Sequence, residues 1–249
     1  MSDGQPQAAD RRALLEGALI SLVFLGLIWG LALLGGGPQA RVESPVRSSV
    51  LLGSLMLGLV ALRVFGPDWR SRLSVRPPSL EDAFFGGLGV AAIYAGNAAL
   101  VGIRIAASGG VAQLTSEAQE KAKWATTFAD VPLWVVLPLS LFVAVWEEAV
   151  FRGYLLGRFK AGLGTHPRGP AIAVAVTALV FGLAHGYQGG WGMAQTALVG
   201  AALGALTLWR GSLWPAVVAH FSIDAIGLFA LHFLKPMLEK LLHGATPPG

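Results

Sequence analysis

The sequence predicts an all-α membrane protein, a polytopic bundle of about seven transmembrane helices with an added amphipathic helix at the membrane surface. Three observations carry that prediction. Of 249 residues, 54% are hydrophobic and only 13% are charged. The mean hydropathy is +0.62. The apolar residues gather into seven windows near the roughly 20-residue length that crosses a bilayer. Length therefore measures one bundle, not several soluble domains. The absence of cysteine excludes disulfides, thiol catalysis and cysteine-ligated zinc. The formal net charge of +4 is spread through short loops with no basic run interleaved with aromatics, so nucleic acid is not an expected partner.

The elements follow in order. Residues 1–12, MSDGQPQAADRR, are polar and read as a disordered cytoplasmic terminus. The run at 13–35 is too long for a signal-peptide core and lacks a small-residue cleavage site, so it reads as an uncleaved first span. A second window covers 49–66. The loop after it holds Arg70, Arg72, Arg76 and the pair Pro77–Pro78. The third window is 83–106, and the polar stretch after it predicts an interfacial amphipathic helix over 111–130. Residues 13–129 thus form an amino-terminal unit of helices and interfacial segment. Residues 130–234 form a core of four windows, 131–158, 169–187, 191–209 and 213–234, and 235–249 form a tail. Between the first two of these windows lies a basic turn with glycine and proline breakers.

Charge sets the expected orientation. With the amino terminus inside, the cytoplasmic segments hold Arg11, Arg12, Arg70, Arg72, Arg76, Arg158, Lys160, Arg168 and Arg210. The outer segments hold Arg41, Arg47, Lys121, Lys123, Lys235 and Lys240, so the bias favours a cytoplasmic amino terminus. Abundant Ala and Gly, with Arg outnumbering Lys, suggest a bacterial, GC-rich source, and the expected location is then the bacterial inner membrane. The pairs Gly200/Gly204 and Gly182/Gly186 have the spacing that lets helices approach closely in lipid.

Charged groups at membrane depth need a reason, because each costs about 2.5–3.5 kcal/mol at a bilayer centre. Three clusters stand out: Glu147, Glu148 and Arg152 in WEEAVFRGYLL; Phe181 and His185 in FGLAHG; His220 and Asp224 in AHFSIDA. Glu148 and Arg152 are i and i+4, so they share a face and can neutralise each other. Glu147 points about 100° away and is left without a partner on its own helix, available as a general base. Phe181 can pack beneath the His185 imidazole, and Asp224 can fix the His220 tautomer or, if protonated, donate a hydrogen bond. Counted from the cytoplasmic helix ends, Glu147 lies roughly 17–20 Å deep, His185 roughly 22 Å, and His220 and Asp224 roughly 12 and 18 Å. A structural ion pair would explain Glu148 and Arg152 alone, but not this convergence of three helices. His166, His232 and His243 are background, and Asn97 and Gln195 read as interhelical hydrogen-bonding groups.

Taken together, EEAVFR, FGLAH and HFSID fit the patterns EExxxR, FxxxH and HxxxN/D, in that order along the chain, on the fourth, fifth and seventh membrane windows. Over about residues 130–234 the chain resembles the CPBP family, which includes CAAX prenyl proteases, bacteriocin-processing enzymes and their bacterial intramembrane relatives. The resemblance implies a glutamic-type intramembrane endopeptidase acting on a membrane-associated protein or peptide. It implies that Glu147 is the general base acting with His185 on a water, that His220 and Asp224 stabilise the oxyanion, and that Glu148, Arg152 and Phe181 support the site. Asp224 stands where many relatives have Asn, which leaves its role open between oxyanion donor and orienter of His220.

Other readings of the same residues stay in view. The Glu, His, His and Asp set also suits zinc or another divalent metal. A cofactor-free site is favoured, because no HExxH-type pair puts two histidines on one helix. A non-enzymatic immunity or scaffold protein could retain the motifs. A proton-coupled transporter would use similar groups, but the chain shows no inverted repeat. Nothing in the sequence fixes an oligomeric state.

Overall fold

The computed structural model describes residues 9–34, 45–108, 122 and 124–243. Long helices dominate: α1 Arg11–Leu34, α2 Pro45–Val64, α3 Leu80–Ala107, α4 Leu133–Leu163, α5 Gly169–Ala184, α6 Gly189–Arg210 and α7 Trp214–His243. Six of them are long and apolar enough to cross a membrane, and α5 is a shorter apolar helix of 16 residues. Each predicted window coincides with one helix, and the chain is an integral membrane protein. The surface agrees, since Leu22, Leu62, Phe84, Trp134, Leu179, Trp209 and Phe233 are all exposed. On a water-soluble protein such a coat would be an aggregation hazard; here it faces acyl chains.

The helix ends follow local rules. Ser79 and Asp82 form a capping box at the start of α3, reinforced by a forked contact from Arg76 to Asp82 at 2.6 and 2.9 Å. α5 starts with Pro in its first turn and stops at His185. Its end is fixed from α1, where the Trp29 indole donates to the Leu183 carbonyl at 3.1 Å. α7 outruns the window that ended at 234. It passes through Pro236 to His243, with Lys235 paired to Asp130 at the approach to α4 and Glu239 one turn further on. The predicted tail therefore begins as helix. The first turn of α1 likewise includes Arg11 and Arg12, which the sequence placed in a disordered terminus.

Of the predicted interfacial helix, 111–121 and 123 lie outside the described residues, while 124–129 are helical. There Trp124 and Phe128 pack on Tyr187, with ring centroids 5.9 and 6.0 Å away.

α4 is the central strut, touching α1, α2, α5, α6 and α7. Every residue from Trp146 to Leu156 is buried, which is why this stretch can carry charge without meeting lipid. Seven of those residues, Ala149–Leu155, form a π-helical turn, closed by the Leu156 amide bonding to the Phe151 carbonyl five residues back. Such insertions recur at functional sites because they re-aim side chains within a helix.

Both predicted glycine pairs bring elements together. A Cβ at Gly182 would lie 2.6 Å from the Met193 carbonyl and 2.8 Å from Ala197 Cβ, so α5 and α6 touch backbone to backbone. Gly200 packs on Phe181 and Ala178, and Gly204 on Val174, while Gly186 faces the Trp29 ring of α1. Asn97 departs from expectation. Its amide bonds back to Ile93 O within α3 at 3.2 Å, not to a neighbouring helix.

Candidate active site

The three polar clusters of α4, α5 and α7 converge. Glu147, Phe181, His185, His220 and Asp224 line one cavity of about 350 Å³. Its walls also include Phe24 and Ile28 of α1, Leu52 of α2, and Trp124, Phe128 and Tyr187 near the α5–α6 turn. Much of the lining is hydrocarbon and aromatic ring, with Ser48, Ser49, Ser140, Gln188 and Thr196 as polar residues beside the carboxylates and imidazoles.

Glu148 is fully buried and Arg152 is 2% exposed. The expected pair forms, with Arg152 Nη1 donating to Glu148 Oε1 at 2.8 Å. Two further contacts were not legible in the spacing. Arg152 Nη2 donates to the Gly200 carbonyl at 3.1 Å, so the small residue that lets α6 approach also supplies an acceptor. His220 Nδ1 lies 2.7 Å from the same Glu148 oxygen. Arg152 keeps that carboxylate an acceptor, so Nδ1 carries the proton it shares with Glu148. Glu148 thus makes the Nδ1 contact, where the spacing had offered Asp224 as one candidate for fixing the tautomer. Asp224 Oδ2 is 3.5 Å from the other nitrogen, Nε2, where Glu147 Oε2 also lies at 3.7 Å.

His185 is set by its own helix. Its Nδ1 lies 2.8 Å from the Phe181 carbonyl. A carbonyl only accepts, so Nδ1 donates and a neutral His185 keeps its lone pair on Nε2. The i, i+4 spacing of FxxxH thus selects a tautomer as well as placing a ring. Phe181 is the hub of the aromatic packing, its centroid 4.8 Å from His185, 5.9 Å from His220 and 4.9 Å from Phe151. The Arg152 guanidinium lies 4.4 Å from the same ring. One phenyl group therefore holds both histidines and the arginine in register.

Glu147 is 8% exposed, and its Oε2 has no hydrogen-bond partner among the described residues. The Asp224 side chain is 30% exposed, against 10% for Glu147 and 7% for His220. Among the described residues, no group of three or more His, Asp or Glu side chains is placed to hold a metal ion.

Comparison with family models matches residues 129–226 to a family described as Type II CAAX prenyl endopeptidase Rce1-like. No curated protein and no solved structure matches the chain. The matched stretch runs from the residue before Asp130 to just past Asp224, and so holds every member of the three clusters. Over residues 129–226 the chain is thus similar to an Rce1-like domain of the CPBP/CAAX protease family.

Proposed function

We propose that the protein is an intramembrane endopeptidase that hydrolyses a peptide bond in a membrane-associated protein, with Glu147 as general base. The observation that carries this reading is the single cavity into which Glu147, His185, His220 and Asp224 project from three helices. A water held between the Glu147 carboxylate and His185 Nε2 loses its proton to Glu147 as its oxygen attacks the peptide carbonyl carbon. The carbonyl oxygen becomes an oxyanion. His220, with Nδ1–H directed to Glu148, presents Nε2–H to that oxygen when doubly protonated. Asp224 adds a second donor in its protonated form. Collapse of the intermediate breaks the C–N bond, and the proton on Glu147 passes to the leaving amine. The mechanism is of the glutamic type, and the protein's own residues carry each step.

We further propose a bacterial inner-membrane location with a cytoplasmic amino terminus, supported by the distribution of Arg and Lys. Reporter fusions at both ends check it: opposite sides of the membrane are expected, with the carboxyl terminus outside.

The decisive experiment compares the termini of membrane proteins in cells carrying the normal chain and cells carrying Glu147→Ala at equal expression. New termini that require Glu147 are expected. Identical termini in both cells would remove the protease assignment and favour an immunity or scaffold role.

A further inference from the structure

The carbonyls that close α5 are engaged one after another. An α-helix leaves its last C=O groups without partners of its own, and lipid offers no water to complete them. Here Phe181 O accepts from the His185 ring at 2.8 Å, and Gly182 O accepts from the His185 backbone N–H at 2.9 Å. Leu183 O accepts from Trp29 Nε1 of α1 at 3.1 Å. His185 is thus tied to two adjacent carbonyls, and the next one is held by a side chain 154 positions away in the chain. The same indole also closes on the residue after the histidine. A Cβ at Gly186 would collide with Cζ2 and Cη2 of the Trp29 ring, so only glycine admits this approach.

We propose that Trp29 is a positioning residue for His185: its indole stops α5 at Ala184 and so holds the imidazole in the cavity wall with the proton on Nδ1. The inference deepens the protease reading and rests on it for the part His185 plays. In a continuing α-helix the His185 N–H would bond to Phe181 O, and the Tyr187 N–H to Leu183 O. The first of those bonds would evict the imidazole from the acceptor that fixes its tautomer. Trp29 opposes the second, because its N–H already holds Leu183 O and its ring fills the space beside Gly186. The chain instead turns at His185, with φ −100° and ψ 31°, into a single 3₁₀ turn over Gly186–Gln188. Ile28, not Trp29, lines the cavity beside Ala184, so the indole acts through the backbone of α5 and not on a substrate. Residue 29 also lies outside the family-matched stretch 129–226. The support for one histidine of the core therefore comes from the amino-terminal unit.

Nitrogen NMR of the full-length protein in detergent, with isotope-labelled histidine, reads the imidazole directly. The His185 signals are those lost in His185→Gln. For the neutral ring of the normal protein, a protonated Nδ1 and a bare Nε2 are expected. Trp29→Phe keeps an aromatic ring and removes the N–H, and should move His185 towards the other tautomer or a mixture of the two. Gly186→Ala presses on the same contact from the other side and should do the same, so a folding defect in one variant leaves the other to decide. Phenyl lacks the ring atoms that meet the added methyl, so Gly186→Ala should add little further change in the Trp29→Phe background. Gly30→Ala, with nothing within 4 Å, should leave the spectrum as it is. On a synthetic peptide spanning a cleavage site that requires Glu147, Trp29→Phe and Gly186→Ala should each lower kcat by about ten- to a hundredfold with KM little changed. Unchanged His185 signals in both variants would overturn the proposal, and a lower melting temperature beside them would mark a merely structural contact. A changed tautomer with normal kcat would instead remove His185 from the protease mechanism and leave its positioning by Trp29 standing.

Discussion

Glu148 Oε1 holds His220 Nδ1 at 2.7 Å, joining two residues 72 positions apart in the chain. The second glutamate of the pair is therefore the orienter of an imidazole as well as the counter-ion of Arg152. Glu148→Gln keeps the shape but removes the charge that fixes the Nδ1 proton. Loss of an orienting group of this kind typically costs 10–100-fold. The expected outcome is a kcat lowered by about that factor with KM little changed, and a shifted pH profile. Glu148→Ala should also lower stability by about 3–5 kcal/mol, because it leaves the buried Arg152 charge unpaired. Thermal unfolding in detergent distinguishes the two effects.

Glu147→Gln tests the base directly. The amide fills the same space and cannot take a proton from water. Activity should fall by about 10²–10⁴-fold, the range for general-base catalysis, while the melting temperature is unchanged or higher. A variant that keeps more than a tenth of the normal rate would reassign the base.

Asp224 gives a sharper contrast. Its carboxylate is partly exposed and 3.5 Å from His220 Nε2. As an oxyanion donor it can be replaced by Asn, which carries the needed N–H without titrating. Asp224→Asn should hold activity within about tenfold and flatten its dependence on pH, whereas Asp224→Leu should lose about 10²–10³-fold. Equal losses in both variants would show that the negative charge itself is required.

Removal of divalent metal checks the glutamic mechanism separately. Purified protein treated with a chelator and dialysed is expected to retain full activity, with no stoichiometric zinc by elemental analysis. Loss of activity restored by zinc would convert the same residues into a ligand set.

Packing makes a prediction without a substrate. Gly182→Ala drives a methyl group into the Met193 carbonyl and Ala197, and should destabilise the protein by about 1–3 kcal/mol. Gly58→Ala, where nothing lies within 4 Å, should be neutral or mildly stabilising. Unfolding in one detergent compares them.

Much of this was legible in the sequence because lipid imposes simple rules. Long apolar windows fixed all seven helices, and charges inside them flagged Glu147, Glu148, Arg152, His185, His220 and Asp224. Helical spacing also foretold the Glu148–Arg152 pair and the packing of Phe181 on His185. What escaped was the specific bonding between helices. The bond from Glu148 to His220 links α4 to α7, and no spacing within either helix announces it. The π turn at Ala149–Leu155 has no propensity signal, since tertiary packing around a wholly buried stretch sets it.

The brevity of α5 has a last consequence. Sixteen residues rise about 24 Å, while the hydrocarbon layer is about 30 Å thick. If α5 starts at one edge of that layer, the turn from His185 to Gly189 falls about 6 Å short of the other, a mismatch that bilayers meet by thinning. On the protease reading, thinned lipid at that turn would shorten the way from bulk solvent to the imidazole.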